Sequence, residues 1–280
     1  MLLPFVLAVV LSLTNVRLGS PVPAEFVGAR QYLRILDDPT FRQAVFNNGL
    51  FAAVVVPLQT ALALTLALLL NTPLRGMVVF RTLLFLPVIF PLSLVSVIWV
   101  LILAPGPDGM LNSFLEFITF GHWQPRNFLR DPYLALPSIM LTSIWQGVGF
   151  QMVIILAGLQ AIPQTLYEAA AVDGANRWQQ LYRITLPQLR NTLLFVILVT
   201  TILSFRLFDQ VQVMTRGGPN DASTTVMYEA VQTAFVRLQI AKGSAMTVIL
   251  FLIVLLLTLL QRHLVHRSKA DRQYRGERKP

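Results

Sequence analysis

Glu168-Ala169-Ala170-Ala171-Val172-Asp173-Gly174-Ala175-Asn176-Arg177-Trp178-Gln179-Gln180-Leu181-Tyr182-Arg183-Ile184-Thr185-Leu186-Pro187-Gln188-Leu189 is the one well-patterned polar stretch set between two long apolar runs. Glu168 to Val172 reads as helix, with the acid expected in the first turn, where the helix dipole favours it. Gly174 either ends that helix or lets another backbone approach closely. A second helix fits Asn176 to Leu186, with Trp178, Leu181, Tyr182 and Thr185 on adjoining faces. Pro187 is expected to stop it. The pattern describes two short helices joined by a glycine bend at a membrane surface. Such an element either docks into a groove of a soluble partner or is an ordinary amphipathic connection between two spans.

Composition places the whole chain in a membrane. Of its 280 residues 55% are hydrophobic and only 12% charged, which is too apolar for an ordinary soluble domain. The net charge of +9 does not point to nucleic acid, because much of the excess lies in the C-terminal tail. With no cysteine, a disulfide framework and a thiolate metal site are both excluded, and the redox compartment stays open.

Taken in order, the apolar run Leu2–Leu13 falls short of the about 20 residues a span needs. It reads as a first helix that is natively short or truncated at its start. Arg17–Asn47 is polar and reads as an external connector, with a short amphipathic helix over Ala29–Leu36. Leu50–Leu70 is a span loosened or kinked at Pro57. Thr82–Leu103 is another, with Pro87 and Pro91 four apart on one face, a sign of a packing kink or of a path-lining segment. Pro105–Pro132 is rich in loop formers and forbids a span, apart from a short helix over Leu111–Ile118. His122 stands there without a second ligand, so no metal site is expected. Tyr133–Tyr167 holds the next span, where Gly147 and Gly149 mark a close helix approach or a break. Leu189–Val213 follows. Arg206 and Asp209 within it have the three-residue spacing of an intramembrane ion pair, or else snorkel at a span end. Thr215–Lys242 reads as a second external loop and Gly243–Leu260 as the last span. From Arg262 onward the tail is basic and reads as disordered or membrane-surface.

Loop charge sets the orientation. Twelve Lys and Arg lie on the side of the Arg75/Arg81 turn, the hinge and the tail; nine are spread over much longer loops opposite. The positive-inside rule then puts the hinge and both termini in the cytoplasm of a multi-pass cell-membrane protein. The chain has no Gly-x4-Gly-Lys-Ser/Thr phosphate loop and no convincing catalytic set, so it is not expected to be an enzyme. Scattered polar and glycine positions in apolar helices fit a small-molecule path instead.

The order Glu168-Ala169-Ala170, Asp173-Gly174-Ala175, then Ile184-x-Leu186-Pro187 resembles the EAA loop of permease subunits in binding-protein-dependent ABC importers. Leu84-x-Leu86-Pro87, Trp145-x-Gly147 and Gly217-Gly218-Pro219 follow that family's order, and the resemblance extends from Pro4 to Leu260. It is nearest to the carbohydrate-uptake branch, the subunits similar to maltose and glycerol-phosphate permeases. The resemblance implies an all-α polytopic protein of about six transmembrane helices in the type I ABC importer permease fold. It implies that Glu168, Ala169, Ala170, Asp173, Gly174, Ala175, Arg177 and Pro187 form the coupling contact with an ATPase.

The resemblance also implies partners: a second permease, two ATPase subunits carrying ATP and Mg, an extracytoplasmic solute-binding protein, and membrane lipid. No cofactor on this chain and no nucleic acid are expected. Family sugar-contact positions fall here on Gln146, Gly147 and Phe150 of one helix and Thr200, Leu203, Ser204 and Leu207 of the next, with a packing role as the alternative at each. The expected division is residues 1–47 (first helix and connector), 48–262 (five-helix core with the coupling loop 163–190) and 263–280 (basic tail). The competing function is an ion-coupled secondary transporter of a small polar solute, for which Arg206 and Asp209 would be the coupling groups.

Overall fold

The computed structural model describes residues 2–21, 23–72, 76–107 and 109–276. Part of the turn expected at Asn71–Gly76 and the last four tail residues lie outside them. Among the described residues the chain is helical apart from loops, turns and one isolated β-bridge, Thr14 to Phe26.

Helix α1 (Leu2–Ser12) is short and lies along the last helix, with Phe5 against Phe251 at 4.5 Å between ring centroids. α2 (Arg30–Leu36) leads to Asp38, whose carboxylate caps the next helix by accepting from Thr40 N at 3.0 Å. Pro39 at the first position is pre-set for helix and lacks only an N–H that would be unpaired there. α3 therefore runs from Pro39 to Leu70 and passes through Pro57 without breaking. The division expected between residues 47 and 48 falls inside this helix. Asn47, the last residue of the expected connector, is instead internal glue: it donates to Asp221 O and Thr224 O, and Asn48 beside it donates to Ser204 O. Asp38 also receives a hydrogen bond from Lys242 Nζ at 2.7 Å. Burial alone would raise its carboxyl pKa. The hydrogen bond and charge of Lys242, with the backbone N–H groups of Phe41 and Thr40, outweigh that and hold it below the usual carboxylate value.

The span expected over Thr82–Leu103 is two helices. α4 (Met77–Ile89) and α5 (Leu92–Ile102) meet at a bend of 100°. The cause is local. Phe90, which precedes a proline, is extended at φ −80 and ψ 141, as steric conflict with the ring demands. Pro91 then caps α5. α6 (Met110–Ile118) follows, and Asn112 closes its loop. Its side chain donates to Ala104 O and Arg126 O and accepts from Trp123 Nε1 and Arg126 N.

α7 (Ala135–Gln160) is unbroken, so Gly147 and Gly149 mark close approach. A Cβ on Gly149 would overlap the carbonyl oxygen of Leu84, because α4 lies backbone to backbone on α7. α8 (Gln164–Val172) begins after Pro163, a turn earlier than the sequence suggested. Glu168 is thus mid-helix rather than in the first turn. α9 (Arg177–Gln180) continues through a π-helical turn, Leu181–Thr185, into α10 (Leu186–Phe205). Pro187 does not stop this helix. The wider turn, with Leu186 N–H bonded to Leu181 O, absorbs the N–H that proline lacks.

α10 ends at Phe205, short of the expected Val213. The expected external loop Thr215–Lys242 is largely folded into the bundle. A π-helical turn covers Val211–Thr215, and α11 (Val226–Val231) runs on through another over Gln232–Val236. Ser223, Thr224, Thr225, Glu229 and Thr233 are buried. Their polarity made the segment look like a loop, but the key groups have partners: Thr225 Oγ1 donates to Leu207 O, and buried Glu229 pairs with Arg237. α12 (Ile240–Gly276) carries on as helix past Arg262, which departs from the disordered form of the expected tail.

Among the described residues four helices are long and apolar enough to cross a membrane: Pro39–Leu70, Ala135–Gln160, Arg177–Phe205 and Ile240–His263. The bent pair α4–α5 supplies a fifth if it is one broken span, and α1 is shorter than a span. The α3–α7 pair forms the centre. Around it sit three buried apolar clusters, built on Phe51 and Ile139, on Phe41 and Met246, and on Met152 and Leu189.

Gly149→Ala forces a methyl into the Leu84 carbonyl and is expected to cost about 1–3 kcal/mol. Gly49→Ala, with nothing within 4 Å of the added atom, is expected to be neutral or stabilising by up to about 1 kcal/mol. Thermal melting of the two variants in detergent checks the contrast; equal melting points would contradict the close α4–α7 approach.

Candidate functional site

Two regions combine the chemistry singled out in the sequence. The first is the bend between α8 and α9. α8 closes in a left-handed glycine cap: Gly174 has φ +76, Ala175 N donates to Ala170 O at 2.8 Å and Gly174 N to Ala171 O at 3.1 Å. That pair of bonds satisfies the last carbonyls and turns the chain. α9 opens with a reciprocal cap, Gln179 N donating to Asn176 Oδ1 and Asn176 N to Gln179 Oε1. These caps are what a short polar helix needs to stand without a packed face. Tyr167 and Thr185 tie the two arms together through their hydroxyls at 2.9 Å.

Glu168, Ala169, Asp173, Gly174, Arg177 and Pro187 are exposed here, and Ala170 and Ala175 are half-buried. The apolar residues among them are exposed as well: Val172 is 88% exposed, Trp178 69% and Tyr182 64%. Trp178 and Tyr182 stack on one another at 6.3 Å. A well-capped polar element that leaves a valine and two aromatic rings bare has the make-up of a contact surface.

The second region is a cavity of about 240 Å³ between α3, α5, α7 and α10, open on one side. It brings together Gln146, Gly147, Thr200, Leu203, Ser204 and Leu207 from the expected path, together with Arg206 and Asp209. Phe150 is exposed and does not line it. Thr200 and Ser204 are held by the helix itself, Ser204 Oγ donating to Thr200 O and Thr200 Oγ1 to Val196 O; Gln151 Nε2 also donates to Thr200 Oγ1 at 2.6 Å.

Sequence reading passed over Ser143 and Gln210, joined at 2.7 Å, and the apolar walls Phe51 and Phe208. Gln59 was visible only as a polar interruption of α3. Its amide lies against α7 in the space that a Cβ on Gly147 would need. The signal for these glutamines is the cost of an uncharged polar group in an apolar run; nothing in the sequence marks Ser143.

The expected ion pair between Arg206 and Asp209 does not form. α10 stops at Phe205, Arg206 caps it, and the chain leaves the helical path before Asp209, so three-residue spacing no longer puts the two on one face. Among the described residues the ion pairs are Arg237 with Glu229 and Lys242 with Asp38. Arg206 and Asp209 are both exposed towards the cavity. No group of three or more metal-ligating side chains occurs among the described residues.

A bundle of broken and continuous spans around a cavity of mixed polar and apolar lining, with a capped helical bend at one surface, is the plan of a membrane permease. Residues 59–270 match the model of the family described as the binding-protein-dependent transport system inner membrane component, and the chain belongs to that family. It is accordingly a multi-pass membrane transport subunit. It is 32% identical over 248 residues to the probable ABC transporter permease protein YurN of Bacillus subtilis (strain 168), covering 88% of this chain and 84% of that one. It is 35% identical to the sulfoquinovosyl glycerol transport system permease protein SmoG of Agrobacterium fabrum (86% and 77%). It is 36% identical to the trehalose/maltose transport system permease protein MalF of Thermococcus litoralis (84% and 78%). Its fold matches a chain of a bacterial ABC transporter involved in the import of the acidic polysaccharide alginate, with a TM-score of 0.81 at 21% identity over 95% of this chain and 90% of that one.

Gly147→Val takes the room now filled by the Gln59 amide and is expected to lower transport by roughly tenfold or more, the equivalent of about 1.4 kcal/mol, with membrane insertion unchanged. Solute uptake beside the amount of protein in the membrane checks it. Unaltered uptake would assign the Gln59–Gly147 contact to packing alone.

Proposed function

We propose that this chain is one of two permease subunits of an ATP-driven importer, forming with the second the path for a sugar or sugar-like solute. An extracytoplasmic binding protein delivers the solute, and two ATPase subunits, which carry the ATP and Mg, drive the cycle. The observation that carries this reading is the bare α8–α9 surface: Val172, Trp178 and Tyr182 are exposed on an element that its own caps, not the bundle, hold in shape. Such a surface is suited to insertion into a cleft of a soluble partner. Glu168, Ala169, Ala170, Asp173, Gly174, Ala175, Arg177 and Pro187 are its coupling residues. The twelve-to-nine bias of basic residues supports a cytoplasmic hinge and cytoplasmic termini in the cell membrane.

The sugar reading draws on the relatives, whose names give trehalose/maltose, sulfoquinovosyl glycerol and sn-glycerol-3-phosphate, and on the cavity. Ser143, Thr200 and Ser204, with Gln59, Gln146 and Gln210 and with Phe51 and Phe208, are among its lining residues. Hydroxyls and amides exchange hydrogen bonds with sugar hydroxyls, and rings cover apolar sugar faces. An ion-coupled transporter has less support, since its coupling pair is not formed.

Glu168→Lys and Gly174→Asp are expected to abolish uptake while the protein stays in the membrane. The first inverts a charge on the coupling face. The second places a side chain at φ +76, which L residues rarely adopt. Purification of the tagged wild-type chain in mild detergent is expected to bring an ATPase and a second permease. Normal uptake by either variant, or recovery of the wild-type chain alone, would count against the coupling role.

A further inference from the structure

We propose that the cavity is built for an acidic sugar, with Arg206 as the residue that takes its anionic group, a carboxylate, sulfonate or phosphate; this rests on the importer reading above.

The inference comes from a donor surplus on one wall. Arg206 lines the cavity and makes no ion pair or side-chain hydrogen bond among the described residues, so its guanidinium donors have no protein acceptor. Gln210 is only 1% exposed. Its carbonyl oxygen is taken by Ser143 Oγ at 2.7 Å, which leaves its amide nitrogen as a buried donor with no partner among the described residues. A buried donor left unpaired is costly, whereas Arg206 is exposed and keeps its charge free for a ligand. Neighbouring groups partner neither. The carbonyls of Ser204 and Leu207, close to Arg206 in sequence, already accept from Asn48 and Thr225. Asp209 is the one charged acceptor among the lining residues, and a ligand that brings charged oxygens of its own supplies partners to Arg206 and to the Gln210 amide.

Guanidinium is the side chain best matched to such groups, because it binds planar or tetrahedral oxyanions through two parallel N–H bonds. Asp209, the one anionic residue among those lining the cavity, is an acceptor for sugar hydroxyls and disfavours an acidic group placed beside it. Together the two charges orient a solute whose acid lies at one end and whose hydroxyls lie at the other. Phe51 and Phe208 complete the walls.

The test uses the whole importer in proteoliposomes, with uptake normalised to the occupancy of the binding protein so that its own selectivity is divided out. The probes are matched in skeleton and differ in charge: glucuronate, glucose 6-phosphate and 6-sulfo-glucose against glucose, galacturonate against galactose, and glucosamine as the cationic control. The expected result is at least tenfold faster uptake of the acidic members. Arg206→Gln removes that preference and Arg206→Lys keeps part of it. Preference for neutral or amino members, or an acidic preference that survives Arg206→Gln, overturns the inference and leaves the importer reading standing. Transport of a non-sugar solute with no sugar moved overturns both. Should Arg206→Gln fail to assemble, the wild-type preference and the Arg206→Lys variant still decide.

Discussion

Asn48 lies inside α3 with both ends of its amide in use. It donates to Ser204 O at 3.1 Å and accepts from Val226 N at 2.8 Å. Those two bonds join α3, the end of α10 and the start of α11, and Asn47 beside it ties in Asp221 and Thr224. In an apolar surround every such group has to be satisfied within the chain, since no water is at hand to do it. This constraint explains why a segment as polar as Ser223–Thr233 is buried: Thr225, Glu229 and Thr233 all have partners. It also gives meaning to two groups left without partners. The amide nitrogen of Gln210 is buried without a partner among the described residues, Arg206 is exposed without an ion pair, and both residues belong to the cavity.

The same chain breaks the opposite rule at its other notable surface. Around Gly174 the polar groups are well met, by a glycine cap on one side and a reciprocal asparagine–glutamine cap on the other. What is left unmet there is apolar area. Between the two regions runs one helical path, Arg177 to Phe205, about 43 Å long at 1.5 Å per residue. It starts at the bend and ends at Thr200 and Ser204 in the cavity wall. In the proposed importer a displacement of the bend reaches the solute through this rod, without any chemistry on the chain itself. The π-helical turn at Leu181–Thr185 is where the rod is least regular, next to Pro187.

Much of this was legible in the sequence, for a physical reason in each case. The spans follow from long apolar runs, the glycine bend from a residue that tolerates φ above zero, and six of the fifteen cavity-lining residues from positions that the resemblance implied. The misreadings share one cause. Composition reports polarity but not whether a polar group has a partner. Asn47 looked solvated, as did Thr225 and Glu229 in the second loop, and all three are buried. Arg206 and Asp209 looked like a pair because a continuous helix was assumed, and α10 ends before the second of them. Proline was equally ambiguous: Pro57 and Pro187 are absorbed within helices, whereas Pro91 follows a 100° break. Local sequence does not say which neighbour will relieve the missing N–H.

The account stands on the α8–α9 bend being an inner-face contact for another polypeptide. The chain has no cysteine, so Val172→Cys places a single thiol on that surface. Labelling with a membrane-impermeant maleimide is expected in inside-out vesicles and not in right-side-out ones, and assembly with the ATPase subunits is expected to protect the thiol. Labelling from the outer face, or equal labelling with and without the ATPase, would contradict it.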